Sequence, residues 1–130
     1  MRVLITGGSG LIGRALVDEL LARDHQAVVL SRDPSRVEGL PPGTGLERWD
    51  GKDPEQLAPL LDGADGIVHL AGASIAGGRW SDERKRRIRQ SRVVSSRAVA
   101  LAIERAAERP GVMVQGSAVG YYGERGDEVL

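Results

Sequence analysis

The spacing of apolar residues changes period several times along the chain, and each change marks an element. Arg2-Val3-Leu4-Ile5-Thr6 is a short run of β-forming residues without polar alternation, the pattern of a strand buried on both faces. A glycine cluster, Gly7 to Gly13, follows. Ile12, Ala15, Leu16 and Leu20 then recur at helical spacing, with Arg14, Asp18, Glu19 and Arg23 on the other faces. This helix should stop near Asp24, a residue that accepts the left-handed conformation less readily than glycine. Ala27 to Leu30 reads as a second buried strand, Leu40 to Gly43 as a loop, and Leu46 to Trp49 as a weaker third strand. Pro54 to Leu61 predicts a short helix with Asp53 as N-cap and Pro54 at its first position. Ile67 to Leu70 predicts a fourth strand, followed by a loop rich in alanine and glycine. Ser81 to Glu108 is a long charged helical stretch ended by Pro110-Gly111, and Val112 to Val114 is a fifth strand running into Gly116-Ser117.

Strand and helix alternate throughout, which predicts an α/β fold with a parallel sheet and right-handed crossovers. The expected architecture is a Rossmann-type doubly wound sheet, cut off after its fifth strand, because that fold usually has six or more. Residues 1–130 are accordingly expected to be the N-terminal part of a longer protein. The alternative is a complete five-stranded domain of the flavodoxin type.

Composition narrows the chemistry. At 130 residues the chain is one domain by length and can bury about two-thirds of its unfolded surface. Eighteen Lys and Arg balance eighteen Asp and Glu, so no global field points to nucleic acid or to a membrane surface. No apolar run approaches the ~20 residues of a membrane span, and Met1 leads into the first strand without a signal-peptide pattern. Cysteine is absent, which excludes disulfides and thiolate metal sites and fits a cytoplasmic location. With His25 and His69 the only histidines, a histidine metal cluster is not expected. Eighteen glycines in a non-repetitive chain suggest tight turns and close approach of the backbone to a ligand.

The glycine cluster carries the most specific signal. Gly8, Gly10 and Gly13 fit GxGxxG, and Gly7, Gly10 and Gly13 fit GxxGxxG. A strand precedes the cluster, a helix follows it, and a second strand ends near residue 30. In that context the bare backbone and the N–H groups at the helix start suit a dinucleotide pyrophosphate. The end of the second strand, Leu30-Ser31-Arg32-Asp33-Pro34, then selects the cofactor. Asp33 lies twenty residues after Gly13, the place of an acid that binds the ribose of NAD. Asp33 before Pro34 is, however, explained as a helix N-cap. That leaves Ser31 and Arg32 to accept a 2′-phosphate, so NADP is favoured over NAD.

These residues resemble a known group. TGGSGLIG at the N-terminus, His69-Leu70-Ala71-Gly72 after the fourth strand and SAVGYYG from Ser117 to Gly123 are similar to extended short-chain dehydrogenase/reductases. The stretch GASIAGGRWSDERKRRIRQSR resembles their atypical, NAD-dependent epimerase/dehydratase-like branch, and full members are about twice as long. The resemblance implies that Gly7, Gly10, Leu11 and Ile12 cradle the pyrophosphate and that Asp50 contacts adenine. It implies that Leu70, Ala71 and Gly72 line the nicotinamide-ribose side, with His69 a packed strand residue. The family's catalytic Tyr with a Lys four residues on has no counterpart, since Tyr121 is followed at that spacing by Arg125 and Tyr122 by Gly126. Ser117 resembles the family's catalytic Ser/Thr, although counting back from Tyr122-Gly123 places that position on Ala118.

The long helix is basic at its start. Residues 79–97 hold eight Lys or Arg and two acids, a local charge of +6. RKRRIR has the look of a nucleic-acid patch, but no aromatic residues are interleaved for stacking on bases, and a solvated helix face near an anionic ligand explains it better. Ile88, Arg92, Ser95, Ser96, Val99, Ala102, Ile103 and Ala106 share one face, which must meet the sheet. Arg92 is therefore a charge on the inward stripe, either paired with the cofactor or reaching to the edge of the stripe. In related enzymes an Asn of this helix approaches the active site, and Ser91-Arg92 would replace it. Val94 and Leu101 on the opposite face offer a surface for a homodimer as in related enzymes, among Arg97, Glu104 and Arg105.

The sequence thus points to an NADP(H)-binding domain of an oxidoreductase or epimerase. Its partner would be a small, sugar-nucleotide-like substrate rather than nucleic acid or membrane. A non-catalytic NADPH-binding or redox-sensing module is the alternative, favoured by the missing Tyr/Lys pair.

Overall fold

The computed structural model describes residues 1–75 and 79–117. Five strands form one parallel sheet: β1 (Arg2–Thr6), β2 (Gln26–Ser31), β3 (Gly45–Arg48), β4 (Gly66–His69) and β5 (Val112–Gln115). Their order is β3-β2-β1-β4-β5. This is the doubly wound order of dinucleotide-binding folds; the flavodoxin order interleaves the strands differently, so that alternative is corrected. Among the described residues three helices accompany the sheet, α1 (Leu11–Ala22), α2 (Pro54–Leu61) and α3 (Asp82–Arg105), with one 3-10 turn at Pro34–Arg36.

The unalternated apolar strands have helices on both faces, as the sequence pattern requires. Val3, Ile5, Ala27 and Val29 meet α1 through Val17, flanked by Leu16, Leu20 and Leu21. On the opposite face Leu4, Leu30 and Ile67 meet α2 through Leu57, Ala58 and Leu61, and α3 through Ala98, Val99 and Ala102. Trp49 closes this second core, and its indole donates to the carbonyl of Asp53 at 2.8 Å, which fixes the turn from β3 to α2. The start of α2 is as expected: the Asp53 carboxylate accepts from the Glu55 N–H at 2.9 Å, and Pro54 fills the first position.

Two expectations need correction. Asp33 precedes the 3-10 turn but caps no backbone N–H; its carboxylate instead accepts from the Ser35 hydroxyl at 2.6 Å. Helix α3 ends at Arg105, not near Glu108. Ala106 turns extended and is buried in the core, while the Glu108 N–H is drawn to the Asp62 carboxylate at 3.1 Å, so tertiary contacts override the helical tendency of Ala106-Ala107. Arg92 is exposed, its long side chain reaching out of the inward stripe, one of the two courses the sequence left open. Asp24 does end the α1 turn in the left-handed conformation, with φ 57°. Among the described residues no helix is long and apolar enough to cross a membrane.

Candidate functional site

The sheet order reverses between β1 and β4, and the carboxyl ends of the strands at such a switch point are where open α/β sheets place their ligands. The glycine cluster leaves β1 there. Gly7 has φ +73°, and a Cβ on it would stand 2.8 Å from the carbonyl carbon of Leu70, so this loop presses directly on the chain leaving β4. A Cβ on Gly13 would stand 2.5 Å from the Gly7 carbonyl oxygen, so α1 likewise lies against the loop backbone. Gly8 packs on Val29. Gly10 differs: only the Gly7 oxygen, at 3.3 Å, is near its missing Cβ. Gly10 is the N-cap of α1, and no side chain caps the helix. The first-turn N–H groups of Leu11, Ile12 and Gly13 therefore face the mouth of the loop without intrahelical acceptors. Leu11 and Ile12 carry their side chains outward, 90% and 70% exposed.

A second group of residues lies at the ends of β2 and β3. Ser31 is half-buried and Arg32 is exposed. Arg48 stands in register with Ser31 on the adjacent strand, so both project from the same face of the sheet. Among the described residues the ion pairs join Arg23 to Glu19, Lys85 to Asp82 and Arg105 to Glu55, so neither Arg32 nor Arg48 has a carboxylate partner. Asp50 is exposed just beyond β3. Its Oδ1 accepts from the N–H groups of Asp53 and Lys52, each at 2.8 Å, and these bonds hold its carboxyl below the ordinary value. That oxygen is thus already committed to the turn.

The third group follows β4. Leu70 and Ala71 are half-buried and Gly72 is exposed. The Arg92 guanidinium lies over Gly72, 3.1 Å from where a Cβ would stand, and donates to the carbonyl of Ala73 at 3.2 Å. Ser91 accepts from the Ala73 N–H at 3.0 Å, so adjacent residues of α3 grip this loop from both sides. Gly116 donates its N–H to the His69 carbonyl at 3.0 Å, which brings the following Ser117, exposed, to the same edge as Leu70. The alternative position Ala118 and both tyrosines lie outside the described residues.

Beneath these loops is a buried polar chain that sequence reasoning did not assemble. The Ala71 N–H donates to the Thr6 hydroxyl at 3.2 Å, and Thr6 contacts His69 Nδ1 at 2.5 Å. His69 Nε2 meets the Ser95 hydroxyl at 3.1 Å, and Ser95 donates to the Ser91 carbonyl at 2.6 Å. One end of the chain fixes a direction: Ser95 gives its proton to a carbonyl, which can only accept, so it must accept from Nε2–H. Burial pushes the His69 pKa below the ordinary value and so favours the neutral ring. With its proton on Nε2, the neutral ring accepts from the Thr6 hydroxyl at Nδ1.

A pH dependence follows. Unfolded, the imidazole takes up a proton below about pH 6.5, whereas the folded chain resists until lower pH. Stability from His69 is therefore full above about pH 6.5 and is lost as pH falls toward the folded value. Urea midpoints should drop as pH falls below about 6.5. An unchanged drop in His69→Asn would assign it to another group.

The glycine loop at the switch point and the sheet order are those of a dinucleotide-binding fold. Residues 3–129 match the family described as NAD dependent epimerase/dehydratase. The chain belongs to this family. It is 39% identical over 125 residues to the Arabidopsis thaliana protein "Epimerase family protein SDR39U1 homolog, chloroplastic", covering 95% of this chain and 36% of that one. It is 35% identical over 125 residues to the epimerase family protein YfhF of Bacillus subtilis, covering 95% and 39%. The structure of human epimerase family protein SDR39U1 with NADPH superposes with a TM-score of 0.76 at 34% identity, covering 94% of this chain and 38% of that one. UDP-glucose-4-epimerase from Stenotrophomonas maltophila, solved with bound NAD and formylated UDP-arabinopyranose, gives 0.79 at 25% identity, covering 99% and 40%. The chain thus spans well under half the length of the relatives it matches.

Proposed function

We propose that this member of the epimerase/dehydratase family binds NADP(H) and serves an oxidoreductase or epimerase acting on a sugar-nucleotide-like substrate by hydride transfer. The observation that carries the reading is the start of α1, open only at Gly10 and without a side-chain cap among the described residues, with Arg32 and Arg48, which have no carboxylate partner among those residues, at the ends of the neighbouring strands. The first-turn N–H groups and the helix dipole would hold the diphosphate. Ser31 and Arg32 would hold the 2′-phosphate, with Arg48 adding charge from the next strand. Leu70, Ala71 and Gly72 would border the nicotinamide ribose, Asp50 would offer adenine its remaining oxygen, and Ser117 would present a hydroxyl to the substrate. Arg92, held by Ala73, would lie at the same rim. When bound, the nicotinamide supplies or accepts the hydride, and the chain contributes position, charge and exclusion of water. NADPH in the human relative's structure supports the choice of cofactor; the bacterial epimerase was solved with NAD.

The test is a titration of NADPH and NADH against this chain and against Arg32→Ala. Loss of a charged hydrogen bond should weaken NADPH by about tenfold or more and leave NADH unchanged. An unchanged preference reassigns the phosphate seat. The missing Tyr/Lys pair favours a second reading, a non-catalytic NADPH-binding or redox-sensing module. NADPH oxidation by the full-length protein with sugar-nucleotide substrates separates the two. For the partners, a small-molecule substrate and a homodimer through Val94 and Leu101 are proposed, without nucleic acid or membrane. The absence of cysteine supports a cytoplasmic location.

A further inference from the structure

Arg14 is the one cation in the first turn of α1, where the helix dipole disfavours positive charge. Its surroundings explain its presence. Nε donates to the Ser9 carbonyl at 2.9 Å, Nη2 donates to the Glu38 carbonyl at 2.7 Å, and Nη1 donates to the Gly39 carbonyl. Ser9 belongs to the glycine loop. Glu38 and Gly39 end the segment that begins at Arg32, and that segment is fixed at its other end by the pairing of β2. Gly39 has φ +68°, which helps aim its carbonyl at the guanidinium. A planar fork spreads its donors over three nitrogens and so joins carbonyls from two loops, whereas the donors of a lysine all leave a single nitrogen.

We propose that Arg14 is a positioning residue that sets the spacing between the diphosphate seat and the segment bearing Arg32. This rests on the NADP(H) reading above. A dinucleotide must engage both seats at once, so its affinity depends on their spacing, whereas a fragment that uses one seat does not. The three bonds of Arg14 go to main-chain oxygens, so it acts through the loops it joins.

The experiment compares two probes on the wild-type chain and on Arg14→Ala: NADPH, and adenosine 2′-phosphate, which has no diphosphate. The variant should bind NADPH about tenfold more weakly but adenosine 2′-phosphate by less than about threefold, with Arg14→Lys closer to Ala than to wild type. Equal losses for the two probes, or no loss for NADPH, overturn the proposal, since local damage or general destabilisation would move both alike. If wild type binds NADPH, Arg32→Ala loses it and Arg14→Ala does not, the positioning role fails alone. If wild type binds neither probe, the cofactor reading falls and takes this one with it. Should both Arg14 variants fail to fold, hydrogen exchange on the wild type decides. Saturation with adenosine 2′-phosphate should slow the amides of residues 9–11 across the Arg14 bridge, and unchanged exchange there overturns the coupling.

Discussion

Gly7→Ala should abolish cofactor binding and remove a large part of the chain's stability, whereas Gly10→Ala should leave the fold intact and weaken binding alone. The difference lies in what each Cβ would meet. At Gly7 the new methyl would stand 2.8 Å from the Leu70 carbonyl carbon and 2.9 Å from the Ala71 nitrogen. Both are main-chain atoms at the end of β4 and cannot swing aside. The φ of +73° adds a left-handed cost of about 1–2 kcal/mol, and overpacking adds about 1–3 kcal/mol. The sum is a large share of the roughly 5–15 kcal/mol that holds such a domain together. The displacement also separates the glycine loop from Leu70 and Ala71, the walls of the proposed crevice. Gly10 has φ −78°, which any residue adopts, and open space around its missing Cβ apart from the Gly7 oxygen. An alanine there should cost the helix cap about 0.5–1 kcal/mol, because alanine caps less well than glycine, too little to unfold the domain, while its methyl fills the approach of a diphosphate. Affinity for NADPH should fall about tenfold or more. Urea denaturation and NADPH fluorescence titration of both variants check the pair. Equal destabilisation, or unchanged NADPH affinity in Gly10→Ala, would refute this division of roles.

Much of this was legible along the chain, and the reason is locality. Asp53-Pro54 marked the start of α2 because a cap and its proline are neighbours in sequence. The strand, glycine loop and helix of the first unit were legible for the same reason. What escaped was set by distant partners. Arg14 looked like an ordinary solvent-facing residue of an amphipathic helix; the carbonyls that claim it are 24 and 25 residues away. Its position in the first turn, against the dipole, was the available signal. Arg92 followed its helical phase at the backbone, but its side chain found the Ala73 carbonyl beyond the stripe. The end of α3 was misplaced because Asp62 and Asp65 capture the N–H groups of Glu108 and Gly111, contacts of high sequence separation. His69 was legible as a packed strand residue. Thr6 and Ser95 as its partners were not, since they come from β1 and α3 and meet only when the sheet order is known.

That trio supports the second large effect. His69→Ala should destabilise the chain by about 3–5 kcal/mol, more than deletion of a comparable exposed ring. His69 is fully buried, so its removal leaves a cavity. It also strands the Thr6 hydroxyl and the Ser95 hydroxyl, both in buried residues, each having lost a partner. Thr6→Val tests the chain from its other end. The isosteric change keeps the volume but leaves His69 Nδ1 and the Ala71 N–H unsatisfied, and should cost about 1–3 kcal/mol. The two losses should not add. Thr6 and His69 share one hydrogen bond, so the double variant His69→Ala/Thr6→Val should be less destabilised than the sum by about 0.5 kcal/mol or more. Strict additivity in urea denaturation would mean that the bond contributes nothing and that His69 acts by packing alone. Because Thr6 also holds the Ala71 N–H, Thr6→Val should loosen the proposed nicotinamide wall while leaving the Arg32 end untouched. NADPH affinity should then fall while that for adenosine 2′-phosphate does not, the reverse of what a general loss of folding would produce.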